Sequence, residues 1–239
     1  MTPRQLALDF PALARDPAVT YVDVECQDAA RRALSEWRDW PGGVMALVGP
    51  PGAGKTHLAA LWARAVDAAT ASMADVEAAA GATLVEDADR RLDESQLLAW
   101  LERARSGAVG PLLFTARAKP AAWGVALPDL ASRVGLAAVV EIDDPTDADL
   151  AAVFAKALGD RGADASAALI GYVIRRIERS FAAAVSTAEA LDRAGLERKQ
   201  RLTRTLAADV LGDDHAGGDE PALAPGTGQD FGSDTSDER

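Results

Sequence analysis

One cysteine, two histidines and aromatic residues at only 5 % are the scarcities of this 239-residue sequence, and each narrows what the chain can be. The lone thiol, Cys26, cannot close an internal disulfide or join a thiolate cluster. That fits a reducing compartment and a small core-filling role. His57 and His215 are far apart in the chain, which argues against a histidine metal site and against a catalytic triad. With few aromatics, the core has to be built from Ala, Leu and Val on packed helices, and Trp100 and Trp123, beside apolar stretches, are expected in it or at an interface. No apolar run approaches the roughly 20 residues that span a bilayer. The opening MTPRQLALDF lacks the basic and apolar regions of a secretory signal, so the expected location is the cytoplasm, away from membranes.

Positive charge is also short, with 25 Lys and Arg against 37 Asp and Glu, a formal net charge of −12. Such a surface repels DNA phosphates. The imbalance is concentrated. Gly212 to Arg239 holds eight acids and one arginine among Gly and Pro, with almost no apolar periodicity, so residues 212–239 are expected to be a disordered acidic tail. Residues 1–20, broken by Pro3, Pro11 and Pro17, read as an irregular arm. Between them the pattern changes once, giving an expected strand-and-helix unit over 21–144 and a helical unit over 145–211.

In the first unit, Asp28 is placed to cap a helix carrying Ala30, Leu34 and Trp37, ended by Pro41 and two glycines. Val44 to Val48 reads as a buried strand between glycines. Leu58, Leu61, Trp62 and Ala65 mark a helix face, and Leu97, Leu98 and Leu101 mark another. Ala82 to Val85, Leu112 to Thr115 and Ala138 to Ile142 read as further buried strands. Strands alternating with helices predict an α/β fold with a parallel sheet. From Thr146 onward only helical stripes remain. Leu150, Val153, Phe154 and Ala157 form one, Ile170, Val173, Ile174 and Ile177 a second, and Phe181 to Leu196 and Thr203 to Leu211 continue as a small bundle.

The chemistry begins where the first strand meets GPPGAGKT, comprising Gly49, Pro50, Pro51, Gly52, Ala53, Gly54, Lys55 and Thr56. This is the phosphate-loop pattern in the required setting, with a buried strand before it and an amphipathic helix after it. Glycines let backbone N–H groups converge on phosphates, and the helix N-terminus adds partial positive charge. Lys55 is assigned to the β/γ-phosphates, the Thr56 hydroxyl to Mg²⁺, and His57 to packing beside the loop. The expected cofactor is ATP or ADP with Mg²⁺. The strand Thr83 to Val85 ends in Glu86 and Asp87, as does a Walker B element that holds metal and orients water, although the first acid there is ordinarily Asp. Solvated loop carboxylates are the competing reading of this pair.

GKTHLA at Gly54 to Ala59 resembles the extended phosphate loop of the bacterial replication initiator DnaA and its shorter relatives. LPDLASRV at Leu127 to Val134 is similar to the arginine-finger segment of Hda, a DnaA-related regulator, and Ile177 to Thr203 resembles its helical lid. The resemblance spans approximately residues 20 to 211. It implies an AAA+ P-loop fold, with helices on both faces of a parallel sheet and a small all-α lid. It also implies that Arg133 reaches a neighbouring subunit's ATP, that Arg179 contacts phosphates from the lid, and that ADP is the bound nucleotide. The plainer readings are an ion pair of Arg133 with Asp129 and an exposed helical Arg179. Two departures stand out. Arg117 occupies the position after PLLFT where the family tends to an acid or amide, and an Ala-rich stretch replaces the expected second strand between Val66 and Thr83. With Glu86, these predict weak intrinsic ATP turnover.

Gln5 to Phe10, QLALDF, resembles the peptide with which bacterial proteins bind the DNA polymerase sliding clamp. In an extended strand Leu6, Leu8 and Phe10 share a face, and the Gln5 amide can hydrogen-bond at a groove edge, although an arm packed on its own domain would look the same. The sequence after the lid region shows the acidic tail where DnaA has a DNA-binding domain, so sequence-specific DNA reading is not expected. Basic residues at Arg175, Arg176, Arg179, Arg198, Lys199, Arg201 and Arg204 read as solvated helix faces. The expected partners are the clamp and DnaA, with a homodimer also possible. The expected role is a negative regulator that stimulates hydrolysis of DnaA-bound ATP. An ATP-driven helicase-loader-like protein and a non-catalytic scaffold are the alternatives.

Overall fold

The computed structural model describes residues 22–90 and 92–212. Gln5, Leu6, Leu8 and Phe10 lie outside the described residues, as does nearly all of the acidic tail. Five parallel strands, β1 (Val44–Val48), β2 (Ala69–Ala71), β3 (Gly81–Val85), β4 (Val109–Ala116) and β5 (Ala138–Glu141), form one sheet in the order β2-β3-β4-β1-β5. Strand β1 is central, paired with β4 from Val44↔Leu112 to Val48↔Ala116 and with β5 from Met45↔Ala138 to Val48↔Glu141.

All five residues of β1 are buried, and the period of two sends them to different layers. Val44, Ala46 and Val48 join Leu112 and Phe114 against α3 (Glu94–Ser106) and α4 (Pro128–Val134), through Leu97, Trp100, Leu130 and Val134. Met45 and Leu47 join Leu84 and Leu113 against α1 (Asp28–Ser35) and α2 (Lys55–Val66), through Ala30, Leu34, Leu58, Leu61 and Trp62. Helices therefore cover both faces, which is why the strands read as continuous apolar runs. Trp100 and Trp123 are both core residues, their indole N–H groups donating to the carbonyls of Met73 and Ala118.

A separate core lies in α5 (Asp147–Gly159), α6 (Ala167–Ile174), α7 (Phe181–Arg198) and α8 (Arg204–Leu211). Leu150, Phe154, Leu158, Val173 and Leu191 are fully buried in it. Each such side chain contributes on the order of 1.5–3 kcal/mol of burial. All four helices start on a hydroxyl: Thr146, Ser166, Ser180 and Thr203 accept from Asp149 N, Leu169 N, Ala183 N and Leu206 N.

Several details differ from the sequence expectation. Position Asp28 is the first residue of α1 and not its cap. A 3₁₀ turn, Glu25–Gln27, runs straight into the helix, Asp28 pairs with Arg31, and Gln27 holds the cap position without a capping bond. Trp37 belongs to a following 3₁₀ turn, and Ala65 is exposed. The Ala-rich stretch does hold a strand, β2, pairing with β3 from Ala69↔Thr83 to Ala71↔Val85. It is a three-residue edge whose side chains are exposed or half-buried, so it needs no apolar pattern.

Candidate nucleotide-binding site

The glycine loop leaves the end of β1 and enters α2 at Lys55. Its backbone needs glycine at two places. Gly52 (φ +75) and Gly54 (φ +87) are left-handed, where a side chain is strained. A Cβ on Gly52 would lie 2.5 Å from Ser180 Cβ, and one on Gly54 would lie 2.4 Å from Gln27 Nε2. Both neighbours hold the loop. The Gln27 amide donates to Ala53 O at 2.8 Å, and Phe181 N, in the first turn of α7, donates to Gly52 O at 2.9 Å.

The Lys55 ammonium folds back onto the loop, donating to the carbonyls of Gly49 and Pro50 at 2.8 Å each. Burial pushes its pKa below the ordinary lysine value; Arg117 adds to this, while Asp87 and Asp89 oppose it. Thr56 stands exposed in the first turn of α2. His57 is half-buried, and burial lowers its pKa, which favours a neutral ring beside the loop.

Loop and helices enclose a cleft of about 880 Å³. At its polar end are Pro51, Gly52, Gly54, Lys55, Thr56, His57, Asp87 and Arg117. Its other wall is apolar, made by Val22 and Val24 before α1, by Val153 and Ala157 on α5, and by Phe181 and Val185 on α7, with Asp160, Arg161 and Glu189 also lining it. A polar mouth at the N-terminus of α2 and an apolar wall suit a phosphate chain attached to a flat base. Gly49, Pro50 and Ala53 shape the loop from behind without lining the cleft.

The two acids after β3 separate. Asp87, left-handed at φ 52, lines the cleft; its N–H donates to Thr115 Oγ1 at 3.0 Å, and its carboxylate lies 3.4 Å from Arg90. Glu86 is exposed and outside the lining. No cluster of three His, Cys, Asp or Glu side chains able to hold a metal occurs among the described residues. Thr56 and Asp87 offer one hydroxyl and one carboxylate, a donor set that fits a Mg²⁺ completed by water and phosphate oxygens.

No motif marks the segment before α1, yet it ties the lid helices to the loop. Asp149 accepts from Glu25 N at 3.0 Å and from Thr146 N and Oγ1 at 2.9 and 2.7 Å. Burial pushes its carboxyl up, but hydrogen bonds from Thr146, Glu25 and Cys26 outweigh this and leave its pKa below the usual value. Burial, with Asp149 alongside, pushes the Cys26 thiol up to about 12, so it is an inert filler.

The two predicted arginines lie outside this cleft. Arg179 precedes α7 and reaches away to Asp147 Oδ1 at 2.6 Å and Pro145 O at 2.8 Å, so it is neither helical nor part of the lining. Arg133 sits in the last turn of α4, paired with Asp129 at 2.9 Å and Glu102 at 3.3 Å. The start of α4 is held by Glu94, whose carboxylate accepts from Ala126 N and Leu127 N at 2.7 and 3.2 Å.

No protein-family model and no curated protein matches this chain. Solved structures do. Domain III of the Thermotoga maritima replication initiation protein DnaA superposes with a TM-score of 0.69 at 14 % identity, over 83 % of this chain and 97 % of that one. The Thermotoga maritima RuvB Holliday junction branch migration motor gives 0.59 at 18 % identity, over 79 % of this chain and 66 % of that one. The chain has the AAA+ P-loop fold. A replication initiator DnaA bound to AMPPCP and single-stranded DNA also superposes, with a TM-score of 0.62 at 15 % identity, over 77 % of this chain and 68 % of that one. In this chain the cleft falls between the sheet and the lid helices, with side chains of α2, α5 and α7 in its walls.

Proposed function

We propose that this protein is a regulator of replication initiation that keeps a nucleotide, ADP or ATP, in its own cleft and supplies Arg133 to ATP bound by DnaA. The observation that carries this reading is the separation of the two cationic groups. Lys55 is closed into the cleft, whereas Arg133 lies outside the lining, on a short helix braced by α3, with its side chain 36 % exposed. Both of its carboxylate partners are exposed, and such surface pairs contribute only about 0–1 kcal/mol, so a more negative partner can displace them. A guanidinium delivered to a transferring phosphoryl group neutralises charge that builds up there. The clamp-like peptide at Gln5, Leu6, Leu8 and Phe10 would bring the protein to DNA-loaded clamps, where Arg133 meets DnaA.

The test measures loss of DnaA-bound ATP with loaded clamp and this protein. Arg133→Ala is expected to abolish the stimulation, on the order of 10³-fold where the finger acts as in GTPase systems. Removal of the first ten residues is expected to abolish it by loss of recruitment. Undiminished stimulation by Arg133→Ala would reject the finger. The ion pairs of Arg133 to Glu102 and Asp129 favour a second reading, a scaffold that recruits DnaA without chemistry, and in that case the variant keeps its function. Rapid ATP turnover by the protein alone would instead mark a loader.

A further inference from the structure

The protein is acidic as a whole, yet one end of its lid is strongly basic. From Arg175 to Glu178 and from Glu197 to Asp209 there are six cations, Arg175, Arg176, Arg198, Lys199, Arg201 and Arg204, against the three acids Glu178, Glu197 and Asp209. The fold gathers these stretches. Buried Tyr172 carries the guanidiniums of Arg176 and Arg204 at 3.8 and 5.3 Å from its ring centroid, which joins the end of α6 to the start of α8. Arg198 pairs with Asp209 at 2.5 Å, which ties the end of α7 to α8 and occupies one of the three acids. Arg175, Lys199, Arg201 and Arg204 are exposed and make no ion pair with any described residue. Two guanidiniums on one ring repel, and an anion beside them relieves that repulsion.

The chain itself continues into the matching anion. Helix α8 stops at Leu211, and residues 213–239 hold eight acids and a single arginine. An eight-residue helix is about 12 Å long, so about four extended residues after Gly212 bring the chain back to Arg204. Tethering at that distance gives the acids a local concentration on the order of millimolar, where an attraction too weak to join two molecules still closes a contact within one. We propose that residues 213–239 lie across this basic end of the lid, their carboxylates paired with Arg175, Lys199, Arg201 and Arg204, and thereby keep nucleic-acid phosphates and other polyanions off it. Such a contact needs no groove and no fixed side-chain geometry, because opposite charge supplies the attraction. None of these residues lines the nucleotide cleft, so the contact is independent of the function proposed above.

The test is proton–nitrogen NMR of the full chain, read at the amides of residues 213–239 in about 0.1 M and about 1 M NaCl, between which the screening length falls from about 10 Å to about 3 Å. Wild-type tail amides are expected to be shifted and broadened at the lower salt and to return to the positions of the isolated tail peptide at the higher. Arg201→Glu with Arg204→Glu is expected to give those peptide positions already at the lower salt. Arg204 rests on Tyr172, so Arg175→Glu with Arg201→Glu, which keeps both stacked guanidiniums, carries the comparison if circular dichroism shows the first variant unfolded. Wild-type tail signals that match the isolated peptide at both salt concentrations overturn the docking. Low-salt shifts that survive charge reversal in a folded variant overturn it too, since the tail then lies elsewhere. A single-stranded oligonucleotide that shifts the Lys199 and Arg204 amides while leaving the tail signals in place also overturns it, and assigns this end of the lid to nucleic acid.

Discussion

Lys55 and Arg133 are both long cations, and the molecule treats them in opposite ways. Lys55 is buried, held by two main-chain carbonyls and walled by a loop whose neighbours would clash with an added carbon at Gly52 or Gly54. Arg133 stands at the end of a seven-residue helix, with two exposed carboxylates for company. On the function proposed above, a charge for the chain's own ligand is enclosed and preorganised, and a charge offered to another molecule is placed where its local partners contribute little.

The contrast can be broken first at Lys55. Lys55→Ala should weaken nucleotide binding by about 100-fold, read by fluorescence titration, whereas Arg133→Ala should leave that affinity unchanged. Equal losses would mean that the two cations serve one site. Next is the loop itself. Gly52→Val should lower unfolding free energy by about 2 kcal/mol or more, because the new carbon meets Ser180 in a left-handed backbone, and thermal unfolding would register it. Smaller is the pH effect at Asp149. Its folded pKa is depressed, so its contribution is complete above the ordinary carboxylate value and is lost as pH falls through the folded one. Asp149→Asn should flatten the acid limb of stability measured by denaturant titration. Least of all, Arg133→Ala should change unfolding free energy by no more than about 0.5–1 kcal/mol, and a larger drop would return that residue to a structural role.

Much of the cleft is legible in the sequence because its chemistry is local. A strand, a glycine loop and a helix follow one another along the chain, so the pattern alone puts Gly49 to Thr56 between β1 and α2, and both layers of the sheet follow from the continuous apolar strands. What the sequence hides is assembled across the chain. The apolar wall joins Val22 and Val24 to Val153 and Ala157 on α5 and to Phe181 and Val185 on α7. The helical spacing of those lid residues is visible, but a stripe facing a ligand looks the same as one facing a core. Arg179 shows a related limit. Its place near the start of a lid helix suggests phosphate, whereas its side chain turns to Asp147 and Pro145. The strand β2 carries no pattern to read, since at an exposed sheet edge Ala-Thr-Ala pairs by its backbone alone. Arg117, which the sequence marks only as a departure from the habit of the family it resembles, lines the cleft.

The contact of α7 with the glycine loop runs from Phe181 N to Gly52 O, main chain to main chain, with Ser180 resting where a side chain on Gly52 would be. Any ligand that reshapes the loop therefore pulls on the lever arm of an 18-residue helix through a single amide. Because that hydrogen bond involves no side chain, alanine scanning would pass over it. An ester in place of the amide at Phe181 would disconnect the hinge while leaving every residue's identity intact.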